Sequence, residues 1–177
     1  MRTARVIKKT VLYIFSLVLI FPASPHIFRY LINIKEPSFI CPLSYEDEIP
    51  IRSDAYGKGY FGARRSGGKR RHKGLDIAGD IGDSIYASKS GIVEVGNVPK
   101  GLGNYVKIQH IDGYNTLYGH MSSFCVEKDL WVWQGQKIGE VGRTGNADNP
   151  RIKPHVHFEI RKGKKAYNPL AFLAKDK

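Results

Sequence analysis

Asp112-Gly113 stands between two runs in which apolar and polar residues alternate, Asn104–Ile111 and Tyr114–His120. An Asp-Gly pair between alternating runs is the strongest short-range hairpin signal a sequence carries, and it dictates two antiparallel strands. Counting outward from a two-residue turn pairs Ile111 with Tyr114, Lys107 with Tyr118 and Tyr105 with His120, all on one face. Val106, Ile108 and Leu117 fall on the opposite face, the expected core side. His120 is thereby expected to project away from the core beside Tyr118 and Tyr105, whereas His110, on the Val106/Ile108 side, reads as structural.

Further short alternating runs separated by turn residues predict strands at Leu75–Ile77, Ser84–Ala87, Gly91–Val98 and Lys137–Val141. The last run, His155-Val156-His157-Phe158-Glu159-Ile160, divides by parity. Val156, Phe158 and Ile160 can enter a core, while His155, His157 and Glu159 share the other face. Nineteen glycines and few long helical runs agree with a mainly β, antiparallel architecture. A chain of 177 residues suits one such domain with its own core.

Imidazole is the commonest protein metal ligand and also a proton carrier near neutral pH. His155 and His157 on one strand face and His120 on another could converge over one groove. His72 and Asp76, separated by three residues in H-x3-D spacing, lead into the strand at Leu75 and add donors of the types zinc prefers. Glu159 reads as a partner of these histidines rather than a ligand. Cys41 and Cys125 lack the C-x2-C spacing of a zinc knuckle. In an oxidising compartment they could pair, and the sequence leaves that open.

The formal net charge is +12. Such a balance favours anionic partners without choosing among nucleic acid, acidic lipid and acidic wall polymer. Much of the charge lies in residues 57–76, a glycine-rich stretch without periodicity that predicts a loop. Its Gly68-Lys69-Arg70 lacks the spacing and the Ser or Thr of a phosphate-binding P-loop, and its arginines give no specific nucleic-acid signature.

Residues 1–34 differ from the rest. Arg2, Arg5, Lys8 and Lys9 precede the uncharged apolar run Val11–Phe21, the layout of an export signal. No small-residue pair marks a clean cleavage site, and a second apolar stretch, Ile27–Ile34, follows. A removed signal and an uncleaved membrane anchor both remain open, and either places the remainder in the cell envelope, periplasmic or extracellular. The organisation expected is a leader over 1–34, a linker over 35–49, a domain over 50–173 and a tail over 174–177. His26, in the leader, is assigned no chemistry.

His72-x3-Asp76, Tyr118-Gly119-His120 and His155-x-His157, in this order among these strands, resemble the lysostaphin/LytM-type zinc endopeptidases of bacterial cell walls. Supporting pieces are Gly74-Leu75-Asp76-Ile77, Gly103-Asn104-Tyr105-Val106 and Gly142-x2-Gly145. The resemblance covers about residues 50–173. It implies a duplicated hybrid motif with a long active-site groove. It also implies one Zn2+ held by His72, Asp76 and His157, catalytic roles for His120 and His155, and a groove in which Tyr118, Tyr105 and Asn104 are candidates for substrate contact. Two imidazoles and one carboxylate would leave zinc with a charge of about +1 and a position for water, whose pKa falls to around 7 at such centres. With no H-E-x-x-H glutamate, proton transfer falls to His120 and His155.

The function implied is hydrolysis of peptidoglycan stem-peptide cross-links, with the D-alanyl–diaminopimelyl bond favoured over glycine bridges. The partners implied are those peptides and the anionic envelope surface, with no specific nucleic acid and a monomer favoured. The alternative is a non-catalytic zinc-containing module that binds wall or activates amidases. Relatives of that kind lose ligands, and this chain keeps the full pattern.

Overall fold

The computed structural model describes residues 24–173. Two units are distinguished, Met1–Pro37 and Ser38–Lys177. In the first, α1 spans Ser24–Lys35 and exposes Ile27, Leu31 and Ile34. No described helix is long and apolar enough to cross a membrane. The apolar run Val11–Phe21, on which the leader rests, lies outside the described residues, as does the tail 174–177.

The second unit is built from antiparallel strands. Two short hairpins come first, β1 (Ser53–Asp54) with β2 (Gly57–Lys58) and β3 (Arg64–Arg65) with β4 (Arg70–Arg71). The stretch expected to be a loop is thus in part an arginine hairpin. Then come β5 (Leu75–Ala78), β6 (Ser84–Tyr86), β7 (Gly91–Val98), β8 (Gly103–Gln109), β9 (Tyr114–Phe124), β10 (Trp131–Val132), β11 (Lys137–Val141), β12 (His155–Lys162) and β13 (Lys165–Tyr167). One sheet runs β10-β7-β8-β9-β11-β6, and β12 joins it through β9 while carrying β5 and β13 on its other edge.

Parity assigns β12 as its sequence requires. Val156, Phe158 and Ile160 are fully buried, each worth roughly 1.5–3 kcal/mol of apolar burial. They meet Leu75 and Ile77 of β5, Val106 and Ile108 of β8, and Met121, Ile138 and Val141 in one cluster. Phe39, Leu43 and Leu173 close that cluster. Residues 38–49 are therefore not a linker. Phe39 and Leu43 are 4% and 5% exposed, and their backbone is tied down by hydrogen bonds such as Ile40 N–H to Ser88 O at 3.0 Å.

The β8–β9 hairpin has a different register from the one the Asp-Gly pair predicts. His110 N–H donates to Tyr114 O at 2.9 Å and Gly113 N–H to His110 O at 3.1 Å, so the loop is Ile111-Asp112-Gly113, with Gly113 at φ 83°. A three-residue loop closed by a left-handed glycine competes with the two-residue turn, and here it prevails. Asp112 supports it by accepting from Tyr114 N–H at 3.0 Å and from the Lys89 ammonium at 2.7 Å. The one-residue slip turns β9 over. Tyr118 now pairs with Val106 and is fully buried, while Leu117 is half-exposed. Tyr118 Oη accepts from Ser88 N–H at 2.8 Å and from the Thr116 hydroxyl at 2.9 Å. His110 joins this buried network through Thr116 Oγ1 at 3.0 Å and Ser90 O at 2.9 Å, a structural role as expected.

Candidate metal centre and active site

Five side chains converge where β9 changes partner. Up to Gly119 its edge pairs with β12, and from Met121 onward it pairs with β11. His120 lies at this junction with φ 65°, one of two non-glycine residues at positive φ among the described residues. Against β8, β9 carries an extra residue between Tyr118 and Met121, a bulge that breaks alternation. His120 thus leaves the core side although Tyr118, two residues earlier, does not. The strained backbone costs on the order of 1–3 kcal/mol, and its effect is to re-aim the ring.

His157 lies opposite Asp76 in the β5–β12 ladder, and His72 reaches them from just before β5. Asp76 Oδ1 is 3.0 Å from His72 Nε2 and 2.8 Å from His157 Nδ1, and the two imidazole nitrogens are 3.0 Å apart. One donor atom from each of these three residues lies within 4.8 Å of the others. His155 Nε2 is 3.9 Å from the same carboxylate oxygen. The His120 ring is centred 4.9 Å from that of His155 and 5.9 Å from that of His157.

Each ring is oriented by a hydrogen bond on its far side. His72 Nδ1 meets Tyr60 O at 2.9 Å, His120 Nδ1 meets Thr144 O at 2.8 Å, and His155 Nδ1 meets Lys153 O at 2.8 Å. An N–H facing a carbonyl leaves Nε2 of all three as an inward lone pair. His157 is turned the other way, with Nε2 on Glu159 Oε1 at 3.0 Å and Nδ1 inward. Glu159 is the expected partner, and it is itself held by Arg161. The donor set is two imidazole nitrogens and one carboxylate oxygen, each with an outer partner, which fits a zinc site.

Burial, with the nearby His155 and His157, pushes His120 down to about 3. Burial also takes His155 down to about 4, against the pull of Asp76. Both rings are therefore neutral at physiological pH. Burial would raise the Asp76 carboxyl, but the hydrogen bond from His157 and the close approach of the His72 ring outweigh it and hold the group far below the carboxylate range.

Two arginines that the sequence did not mark complete the arrangement. Arg52 donates to Asp76 Oδ2 from Nη2 at 3.0 Å, and Arg65 does so from its own Nη2 at 2.8 Å. With Oδ2 occupied, Oδ1 is left to face the imidazoles. Arg65 belonged to the basic stretch, but nothing in its spacing distinguished it from its neighbours. Thr144 is placed by glycine. Gly145 (φ 65°) lies so close to Gly103 N that a Cβ there would collide with it. This contact brings the 3-10 turn Gly145–Ala147 against β8 and puts Thr144 O within reach of His120.

A cleft of about 620 Å3 opens over the cluster. Its walls include Arg70, Arg71 and Lys73 on one flank and Leu102, Ala147 and Ile152 elsewhere. Tyr118, Tyr105 and Asn104 are not among its lining residues. Tyr118 is in the core, as the register explains. Tyr105 pairs with Gly96 and lies over it, and Asn104 Oδ1 accepts from the Asn97 amide at 2.6 Å. No disulfide joins Cys41 and Cys125.

Residues 70–169 match the model of Peptidase family M23. The chain belongs to this family. Its antiparallel fold is that of the lysostaphin/LytM-type members which the motifs resemble. The chain is similar to the "Murein hydrolase activator NlpD" of Escherichia coli (40% identical over 114 residues, 64% of this chain and 28% of that protein). It is also similar to the "Peptidoglycan DD-endopeptidase ShyA" of Vibrio cholerae (40% over 89 residues, 50% of this chain and 20% of that protein). A solved zinc-containing peptidase from Vibrio cholerae superimposes with a TM-score of 0.61 at 29% identity, covering 78% of this chain and 40% of that one. The chain thus spans less than a third of the length of the two named relatives.

Proposed function

We propose that this M23 chain is a zinc-dependent endopeptidase that hydrolyses peptide cross-links of bacterial peptidoglycan. The observation that carries the reading is the pair of neutral rings, His120 and His155, aimed at a complete His72/Asp76/His157 donor set. When bound, zinc supplies Lewis acidity there, the property that activates water and polarises a carbonyl in hydrolases of this type. The inward Nε2 lone pairs of His120 and His155 accept a proton from a nucleophile and return it to a leaving amine. Thr144 O and Lys153 O fix the two rings, so little reorganisation accompanies the transfer. Once either ring has taken up that proton, its Nε2–H can donate to an anionic transition state.

The bond favoured is the D-alanyl–diaminopimelyl cross-link, in keeping with the likeness to a protein named as a DD-endopeptidase. The site of action is the cell envelope, with residues 1–34 as signal or inner-membrane anchor. The charge of +12 holds the protein to anionic envelope surface in a salt-sensitive way.

A second reading, a non-catalytic zinc-containing module that activates other murein hydrolases, draws on the likeness to NlpD. One experiment separates the two. The zinc-loaded chain is incubated alone with cross-linked dimeric muropeptides and, separately, with pentaglycine. Conversion of dimers to monomers, lost in His120→Ala with zinc retained, supports the peptidase. Intact dimers with stimulated hydrolysis only when an amidase is added would support the activator. Cleavage of pentaglycine alone would overturn the bond assignment.

A further inference from the structure

Both carboxylates that line the cleft are engaged by the protein itself. Asp76 gives Oδ2 to Arg52 and Arg65 and Oδ1 to the histidines, and Glu159 lies between His157 and Arg161. Against these two acids the lining carries Arg52, Arg65, Arg70, Arg71 and Lys73. Arg71 and Lys73 pair with neither acid. Arg71 gives Nη1 to Gly62 O at 3.2 Å, and both side chains are exposed. The β3–β4 pairing, Arg64 with Arg71 and Arg65 with Arg70, brings these charges together at the lip. Arg71 and Lys73 flank the metal-ligand candidate His72 in the chain and line the same cleft as it does. The other named walls, Leu102, Ala147 and Ile152, are uncharged.

We infer that Arg70, Arg71 and Lys73 form a subsite for an ionised carboxylate of the substrate, set beside the metal-ligand cluster. This rests on the peptidase reading above and names its substrate class: stem peptides with free carboxylates, in preference to uncharged oligoglycine bridges. A guanidinium presents a planar fork that matches a carboxylate, and a lysine adds a point charge. A cleft with this excess of one sign also concentrates anionic ligand at its mouth. The pairs are solvent-exposed, so each contributes only a few-fold, and together they give about tenfold discrimination.

The test uses the full-length zinc-loaded chain and two cross-linked muropeptide dimers that differ only in whether their free carboxylates are amidated. The acidic dimer should be cleaved with about tenfold higher kcat/KM, a preference that salt reduces. In Arg71→Gln/Lys73→Gln the ratio should fall towards one, with zinc content and unfolding midpoint as checks that fold and metal are intact. Calorimetry of both dimers on His120→Ala, with and without the double substitution, reads affinity without turnover. Equal cleavage of the two dimers by the unsubstituted chain, or a preference that survives the double substitution, overturns the subsite and leaves the peptidase standing. Cleavage of neither dimer overturns the assignment to stem-peptide cross-links on which the subsite rests. The titration then decides the subsite alone, with charge-dependent binding of the acidic dimer supporting it and equal binding refuting it.

Discussion

Asp76 and His157 face each other across the β5–β12 ladder, with Oδ1 and Nδ1 2.8 Å apart. The pairing that builds the sheet therefore also brings together two of the three members of the donor set. Asp76→Ala should reduce bound zinc from one equivalent to near none by atomic absorption. His120→Ala should retain the full equivalent, because His120 lies beside the set rather than in it. Stoichiometric zinc in Asp76→Ala would refute the ligand assignment.

Arg52 and Arg65 share Asp76 Oδ2, but Arg52 is 5% exposed and also bonds Asp54 at 2.6 Å. Removing a buried partner strands the charge it neutralised. Arg52→Met should cost about 3 kcal/mol in urea unfolding of the chelator-treated protein. Arg65→Met, at a half-buried position, should cost about 1 kcal/mol or less. Equal losses would mean that burial does not set their roles.

Tyr118→Phe tests the corrected register. The substitution removes the acceptor of Ser88 N–H and a partner of Thr116, at a cost of about 1–3 kcal/mol. Because Tyr118 is in the core, KM for a peptidoglycan substrate should stay unchanged. A raised KM with unchanged stability would return Tyr118 to the groove.

Gly74 has a steric role at the site. A Cβ there would collide with Phe158 O and come within 3.0 Å of His157 Cε1. Gly74→Ala should displace the His157 ring and weaken zinc binding by about tenfold or more, read by competition with a chromophoric chelator. Unaltered affinity would show that the strand can shift without moving the ring.

Asp112 supplies a pH test remote from the metal. Burial alone would raise its carboxyl, but the hydrogen bond from Lys89 and the Tyr114 N–H outweigh this and hold it below its ordinary value of 3.8. A carboxyl depressed in the fold stabilises above its unfolded value and loses that contribution as pH falls through the folded value. Asp112→Asn should therefore be less stable than the unsubstituted chain at pH 7, and the difference should shrink once pH drops below about 3.8. A pH-independent difference would count against the Lys89 pairing.

The metal-ligand candidates were legible because parity is local. In β12 three apolar residues alternate with His155, His157 and Glu159, and no distant choice could alter which of them share a face. The hairpin was legible in existence but not in register, since two- and three-residue loops both suit Ile111-Asp112-Gly113. That single residue misplaced Tyr118, whereas Tyr105 and Asn104, groove candidates through the resemblance, lie on β8 against Gly96 and Asn97 of β7. His120 was assigned to the site through the two-residue register, whereas the structure brings it there through a bulge and a positive φ that no periodicity signals. Arg52 is 24 positions from Asp76, and a contact at that separation leaves no trace in local pattern.

The division of β12 into an apolar and a histidine face has a consequence for what a preparation of this protein can contain. Shifting the strand by one position against β5 and β9 would drive imidazoles into the interior and strip Val156, Phe158 and Ile160 of cover at the same moment. No well-folded molecule with a scrambled centre is available to the chain, so folding acts as a proofreader of the site. Among the folded molecules of a batch with low turnover, the shortfall should therefore trace to missing metal, and titrating zinc back should recover it without refolding.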